Sequence, residues 1–362
     1  MKIVNVQLQN RSYPVIINTG NFQNLGRHLH SLDLGGDAFI ISNLRICKLY
    51  GTKIKKALQK SKIRSYFHNV KDTEASKSIS AYIKTITKIS KIDTQKRLFL
   101  VALGGGVVGD LCGFIAATYK RGVPYIQIPT TLLAQVDSAI GGKTAIDLPS
   151  GKNLIGAFFQ PRLVYSNISL LNSLPQRQIR SGLAEVVKYG VIVDDRLFRY
   201  LENNWKRVAG LDKNSLTYII SAASAIKAKI VAYDERETKG LRTILNFGHT
   251  IGHALETATK YSHITHGEAI SIGMVGAAEI ARELGILSPN TLPRITSLLK
   301  ALKLPVKASG IHLQPILNAF ARDKKFIHGR IRMVLPTKIG HVIVTEDIPL
   351  KVVKKVIKKL AG

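Results

Sequence analysis

The chain has 362 residues, 45% hydrophobic and 21% charged, a balance that excludes a disordered or fibrous protein and leaves room for two domains of roughly 150 residues each. Only two cysteines are present, Cys47 and Cys112, which excludes a disulfide framework or cysteine-rich metal ribbon and points to a reducing, cytoplasmic setting. Lys and Arg outnumber Asp and Glu by 53 to 23, but the lysines are spread along the chain without aromatic interleaving and no run of about 18 uncharged apolar residues occurs, so neither a nucleic-acid partner nor a membrane span is expected.

In chain order, Met1–Val6 alternates like an edge strand and lacks the apolar core of a secretory signal. The runs Val15–Ile17, Ala38–Ile41 and Leu98–Leu103 predict strands, and the periodicity of Ile79–Ile92 predicts a helix between them. That alternation predicts an α/β nucleotide-binding domain with a largely parallel sheet over residues 1–172. From Leu174 onward helical periodicity dominates, through Ser181–Tyr189, Leu216–Tyr233 and Ala269–Leu284. A mainly α-helical C-terminal domain over 173–362 is therefore expected, with a small hairpin across Arg330–Pro336 and Val342–Val344. In the tail, Val352, Val353, Val356, Ile357 and Leu360 keep helical spacing, which predicts a terminal helix with a solvated basic face.

Candidate chemistry is carried by several segments. The strand Leu98–Leu103 runs into Gly104-Gly105-Gly106-Val107-Val108-Gly109-Asp110, where glycines let backbone N–H groups approach a pyrophosphate at a helix N-terminus. Alone, this match to G-x-G-x-x-G is weak, because no acidic residue follows about 20 positions later. A second buried strand ends in the hydroxyls of Thr130 and Thr131, and Asp137, Gly142-Lys143 and Gly151-Lys152-Asn153 follow. Lysines beside exposed glycine backbone suit anionic oxygens. Glu185 and Lys188 stand three apart among apolar residues; they form either an exposed helical ion pair or, if buried, a carboxylate that needs a cation. Lys227, Arg242 and Asn246 lead into His249 and His253, which share a helix face at i and i+4, and His266 stands at the entrance of the next helix. Three nitrogen ligands, or two with a carboxylate, leave one position of a tetrahedral zinc site open for substrate.

Taken in order, Gly-Gly-Gly-Val-Val-Gly-Asp, Pro-Thr-Thr-Leu-Leu-Ala-Gln-Val-Asp-Ser-Ala-Ile-Gly-Gly-Lys-Thr, Gly-Lys-Asn, Ala-Glu-Val-Val-Lys-Tyr-Gly, Asn-Phe-Gly-His-Thr-Ile-Gly-His and His-Gly-Glu-Ala strongly resemble the 3-dehydroquinate synthase family of sugar-phosphate cyclases. The resemblance is specific from about residue 98 to 285 and looser elsewhere. It implies an NAD- and zinc- or cobalt-dependent lyase converting 3-deoxy-D-arabino-heptulosonate 7-phosphate to 3-dehydroquinate and phosphate, in the shikimate route to aromatic amino acids. Transient oxidation at C5, phosphate elimination in which the substrate's phosphate takes the proton, re-reduction, ring opening and an intramolecular aldol closure are the implied steps. The implied metal ligands are Glu185, His249 and His266. The implied substrate-binding residues are Asp137, Lys143, Lys188, Lys227, Arg242, Asn246, His253 and a lysine of the Lys324-Lys325 pair, here taken as Lys325. The implied NAD contacts are Glu74, Lys77, Gly105, Gly106, Val107, Asp110, Thr130, Thr131, Lys143, Lys152 and Asn153. Arg121 matches an arginine that reaches the neighbouring subunit's phosphate site, which implies a homodimer. Thr73, Ser173 and Gln178 depart from the usual family residues, and Glu237–Gly240 carries one extra residue.

Two alternatives stay open at this point. A sister cyclase of the 2-deoxy-scyllo-inosose synthase type would share the chemistry on another sugar phosphate. A metal-dependent alcohol dehydrogenase would share the two-domain architecture but not the many phosphate-sized basic sites.

Overall fold

The computed structural model describes the backbone of residues 1–362 apart from 21, 94–96, 260–262, 322–325, 328–329 and 362, and side chains apart also from 320–321, 326–327 and 330. It divides into two units, the first comprising Met1–Leu174 with Lys227–Arg236 and the second Pro175–Ile226 with Glu237–Gly362.

The first unit holds β1 (Lys2–Val6), β2 (Tyr13–Asn18), β3 (Asp37–Asn43), β4 (Arg64–Val70), β5 (Leu98–Gly104), β6 (Tyr125–Pro129), β7 (Lys143–Leu148), β8 (Gly151–Phe158) and β9 (Leu163–Asn167). Seven of these form one sheet in the spatial order β1-β2-β9-β6-β5-β3-β4, while β7 and β8 pair as a separate hairpin. Only the β1–β2 pair is antiparallel in the large sheet, and β1 is its edge, as its alternation predicts.

Helices α1 (Leu25–Ser31), α2 (Leu44–Ile46), α3 (Thr52–Lys60), α4 (Ile79–Ile92) and α5 (Gly106–Thr118) belong to the same unit. The pleat of β5 explains its unbroken apolar run. Phe99, Val101 and Leu103 enter a core with Leu25 and Leu29 of α1 and Ile54 and Leu58 of α3. Leu98, Leu100 and Ala102 enter a second core with Ile89 of α4 and Leu111 and Ile115 of α5. Both faces are covered, so both sets of alternating side chains must be apolar.

The charge is less evenly spread than expected. Residues 44–92 hold 13 Lys or Arg against two acids, Asp72 and Glu74, and this segment contains β4, the other edge of the sheet. Charged side chains on and beside an edge strand discourage pairing with another chain.

One consequence falls on His68 of β4, which is 5% exposed. Its Nδ1 lies 3.3 Å from Lys88 Nζ and its Nε2 3.2 Å from Thr85 Oγ1, whose hydroxyl donates to the Ala81 carbonyl. This arrangement suits a neutral ring that accepts from Lys88 and donates to Thr85. Burial, reinforced by Lys88 and Lys84, lowers its pKa from 6.5 to about 4. The unfolded chain therefore binds a proton that the folded chain refuses as pH falls from 6.5 towards 4, and stability drops across that window by up to about 3 kcal/mol. Thermal melts of His68→Asn are expected to show a weaker dependence on pH between those values than the parent protein.

The second unit is built from α6 (Gln176–Ile192), α7 (Asp195–Ala209), the first part of α8 (Lys213–Tyr233), α9 (His249–Ala258), α10 (His266–Glu283), α11 (Thr291–Ala301), α12 (Leu313–Ala321) and α13 (Leu350–Ala361). The short strands β10 (Phe326–Ile327), β11 (Arg330–Ile331), β12 (Met333–Lys338) and β13 (His341–Thr345) pair as two hairpins. The predicted late hairpin is β12–β13, but its first two residues, Arg330 and Ile331, pair with β10 instead. Helix α8 is long and apolar enough by length and composition to cross a bilayer, yet most of its apolar stretch is buried inside the protein, including Leu216, Ile219, Ile220 and Ala223. The tail helix α13 buries Val353, Val356, Ile357 and Leu360 as its spacing predicts. Its basic face is not wholly solvated, because Lys355 and Lys359 pair with Glu283 and Glu279 of α10 at 2.6 and 2.7 Å.

Candidate active site

Three helices of the second unit converge on one cluster. Glu185 lies in the long buried stretch of α6 and is fully inaccessible. One of its oxygens, Oε2, makes an ion pair with Lys188, one turn further on and 2% exposed. The other, Oε1, lies 3.5 Å from His249 Nε2 and 3.3 Å from His266 Nε2. Ligand atoms of Glu185, His249 and His266 all fall within 4.8 Å of one another, so a carboxylate and two imidazoles face one point.

Close backbone contact produces this convergence. A Cβ on Gly267 would stand 2.2 Å from the Ser181 carbonyl oxygen, and one on Gly273 would stand 1.9 Å from that of Gly248. Glycine at both positions lets α10 seat directly on α6 and on the start of α9. The Gly267 N–H donates to Ser181 Oγ at 3.0 Å, fixing the approach. A capping box sets the first residue of α10: the Glu268 N–H donates to Thr265 Oγ1 at 3.3 Å and the Thr265 N–H to Glu268 Oε2 at 2.8 Å. His266, the first residue of α10, is thereby presented to Glu185.

Both imidazoles are held through Nδ1. That atom of His249 lies 3.1 Å from the Phe247 carbonyl oxygen, and that of His266 lies 3.3 Å from Glu256 Oε1. In each case Nε2 is left to face Glu185. Burial drives the His249 pKa well below its usual value, although Glu185 opposes the shift. Burial acts the same way on His266, but hydrogen bonds to Glu185 and Glu256 outweigh it and push its pKa up to about 10. His266 is thus flanked by two carboxylates, Glu185 and Glu256, each at 3.3 Å. The donor set of one carboxylate and two imidazoles fits a four-coordinate zinc or cobalt ion with a position left open.

His253 does not join the ligand cluster. It is exposed, one turn along α9, with its ring 5.3 Å from that of His249 and 6.4 Å from that of His266. Arg242 is 2% exposed and pairs with Glu237 at 3.5 Å. It shares the 3-10 turn Leu241–Asn246 with Asn246, immediately before the histidine helix. Lys325 lies outside the described residues.

In the first unit the glycine turn is built as its sequence suggests. Gly105 takes extended backbone and supplies no capping side chain, α5 begins at Gly106, and Val107 and Asp110 lie in its first turns. First-turn N–H groups without a side-chain cap suit an anionic ligand. Thr130 donates its N–H to the Gly104 carbonyl at 2.9 Å, and a Cβ on Gly105 would stand 3.1 Å from Thr131. The strand end and glycine turn are therefore adjacent.

Lys77, 4% exposed, is the hub of a polar network. It lies 2.8 Å from Asp110, 3.6 Å from Glu74 and 3.9 Å from Asp147, and it donates to Asn153. Lys152 reaches Glu74 at 3.3 Å. Burial raises the Asp110 pKa to about 6 even though Lys77 opposes it. The network gathers five of the residues expected at the cofactor, and it adds Asp147, whose Oδ1 accepts the Asn153 N–H at 2.8 Å.

Asp137 is held by Lys227, which donates to its Oδ1 at 2.7 Å and to its carbonyl at 2.9 Å. Lys143, next to Gly142, is the exposed first residue of β7, and Lys152 and Asn153 lie on β8 of the same hairpin. Arg121 is exposed beyond the C-terminal end of α5. The 13 residues of that helix, at a rise of about 1.5 Å each, separate it from the glycine turn by roughly 20 Å. It is not gathered with the other site residues of its unit.

A glycine turn at the head of a parallel sheet and, in the same chain, a carboxylate–bis-histidine cation site define a dinucleotide- and metal-using enzyme. Residues 67–181 match the 3-dehydroquinate synthase N-terminal family model and residues 182–326 the 3-dehydroquinate synthase C-terminal model. The 3-dehydroquinate synthase of Thermodesulfovibrio yellowstonii is 45% identical over 360 residues, covering 99% of this chain and 100% of that protein. That of Caldanaerobacter subterraneus subsp. tengcongensis is 44% identical over 98% of this chain and 100% of its own length. The chain belongs to the 3-dehydroquinate synthase family. Among solved structures, 2-deoxy-scyllo-inosose synthase complexed with carbaglucose-6-phosphate, NAD+ and Co2+ is similar with a TM-score of 0.89 at 25% identity, covering 99% of each chain. An iron-containing alcohol dehydrogenase from Thermotoga maritima, at 17% identity over 97% of this chain and 98% of its own, has a TM-score of 0.68 and shares the fold alone.

Proposed function

We propose that the chain is a 3-dehydroquinate synthase, converting 3-deoxy-D-arabino-heptulosonate 7-phosphate to 3-dehydroquinate and phosphate with NAD and one divalent cation. The observation that carries this reading is the convergence of Glu185, His249 and His266 in a chain that aligns end to end with synthases of that name. The sister-cyclase alternative rests on 25% identity, against 45% for the synthases, and is set aside.

When bound, NAD supplies reversible hydride acceptance and zinc or cobalt supplies Lewis acidity at the hydroxyl to be oxidised. Everything else falls to this chain's residues. Glu185, His249 and His266 would hold the cation, and Lys188 forms an ion pair with the second oxygen of Glu185. Lys227 fixes the Asp137 carboxylate. The exposed imidazole of His253 and the basic groups of Lys143, Lys188 and Arg242 bind and stabilise anionic oxygens, with Asn246 supplying a neutral amide and Lys325 a further cation.

Gly105, Gly106 and Val107 offer backbone N–H groups to the pyrophosphate, and Thr130 and Thr131 their hydroxyls. Glu74, Lys77, Asp110, Lys143, Lys152 and Asn153 line the remainder of the NAD site. Arg121 serves the site of a second copy in a homodimer. Its exposure supports this. Cys47 and Cys112 are both free thiols, in keeping with a cytoplasmic site of action.

Oxidation and re-reduction cancel within one turnover. Incubated with the heptulosonate phosphate, zinc and substoichiometric NAD, the protein is expected to release one phosphate per 3-dehydroquinate formed, without net NADH. Conversion of all the added NAD to NADH, with substrate loss halting at that same amount and no phosphate released, would assign the chain to the dehydrogenases instead.

A further inference from the structure

We propose that Glu256 is a positioning residue that orients His266 toward the cation. Within α9, His249, His253 and Glu256 follow at i, i+4 and i+7, so all three lie on one stripe of the helix. Glu256 is 9% exposed, and a carboxylate near the C-terminal end of a helix is disfavoured both by burial and by the helix dipole. Its retention there calls for a specific partner. One such partner is His266 Nδ1, 3.3 Å from Glu256 Oε1.

The geometry leaves His266 Nε2 aimed at Glu185 Oε1 at 3.3 Å, the same oxygen that faces His249 Nε2 at 3.5 Å. His249 obtains its orientation from the Phe247 backbone carbonyl at 3.1 Å, a contact set by the turn. His266 obtains it from a side chain belonging to a different helix. Losing Glu256 would free the ring to rotate and remove the negative charge that makes the imidazole a stronger donor.

The proposal rests on the cation site described above, and its test separates the two. Metal-depleted full-length protein is titrated with Co2+ against a competing chelator while the visible cobalt absorption is recorded. Glu256→Ala is expected to bind Co2+ roughly 10- to 100-fold more weakly with shifted visible bands. Glu256→Gln, whose amide oxygen can accept the same hydrogen bond without the charge, should recover part of the affinity and the parent band positions. Cobalt affinity within twofold of the parent and an unchanged spectrum in Glu256→Ala would overturn the role of Glu256. Failure of the parent itself to bind cobalt would overturn the underlying site instead. Should Glu256→Ala not fold, Glu256→Leu, of similar size but unable to accept the hydrogen bond, decides: weaker binding supports the role, and parental affinity with a parental spectrum removes it.

Discussion

Replacing Glu185 with alanine is expected to abolish cation binding, reduce turnover by orders of magnitude and destabilise the fold, all in one substitution. The first two effects follow from removal of the anionic ligand. The third follows from Lys188, which is 2% exposed and forms its ion pair with Glu185. Removing one partner of a buried ion pair typically costs about 3–5 kcal/mol, a large part of the roughly 5–15 kcal/mol that holds a domain folded. His249→Ala is the informative contrast. It deletes a ligand without stranding a buried charge, so it should lose cation and turnover with a smaller loss of melting temperature. Thermal melts and cobalt titrations of both variants check the difference. Equal melting temperatures would show that Lys188 is balanced by something other than Glu185.

Gly267→Ala is expected to dismantle the site without touching a ligand. The added methyl would stand 2.2 Å from the Ser181 carbonyl oxygen and 2.3 Å from its Cα, and neither is the end of a flexible side chain. Helix α10 must therefore withdraw from α6. His266 precedes Gly267, and Glu185 lies one turn beyond Ser181, so the withdrawal pulls the third ligand from the carboxylate. Overpacking of this kind commonly costs about 1–3 kcal/mol, occasionally more. Cobalt affinity should fall much further than stability alone accounts for. A variant that folded and bound cobalt like its parent would show that the ligands do not depend on this helix contact.

How far the sequence could be followed depended on whether burial left a pattern. The central strand β5 was legible because both its faces enter apolar cores, and α9 was legible because its histidines repeat at helical spacing. The β7–β8 hairpin was not: β8 buries none of its residues completely, so its short apolar run Leu154–Phe158 follows no clear period, and its glycine–lysine pair suggests a turn. Helix α8 shows no breaker between Ile226 and Lys227, the point at which its residues pass from one unit to the other. The return of Lys227–Arg236 to the first unit depends on tertiary ion pairs, with Lys227 on Asp137 and Glu235 on Arg11, which periodicity does not reveal. Within the site, the Thr265–Glu268 capping box and the i+7 place of Glu256 were available as spacings. Asp147, by contrast, acquires its role only through the folded hairpin.

Phosphate elimination should depend on the proposed divalent-cation site of Glu185, His249 and His266. This dependence is tested most directly by phosphate release from the heptulosonate substrate before and after treatment with a strong chelator. Release should stop on chelation and return when zinc or cobalt is restored. Undiminished release from protein shown to be metal-free would contradict it.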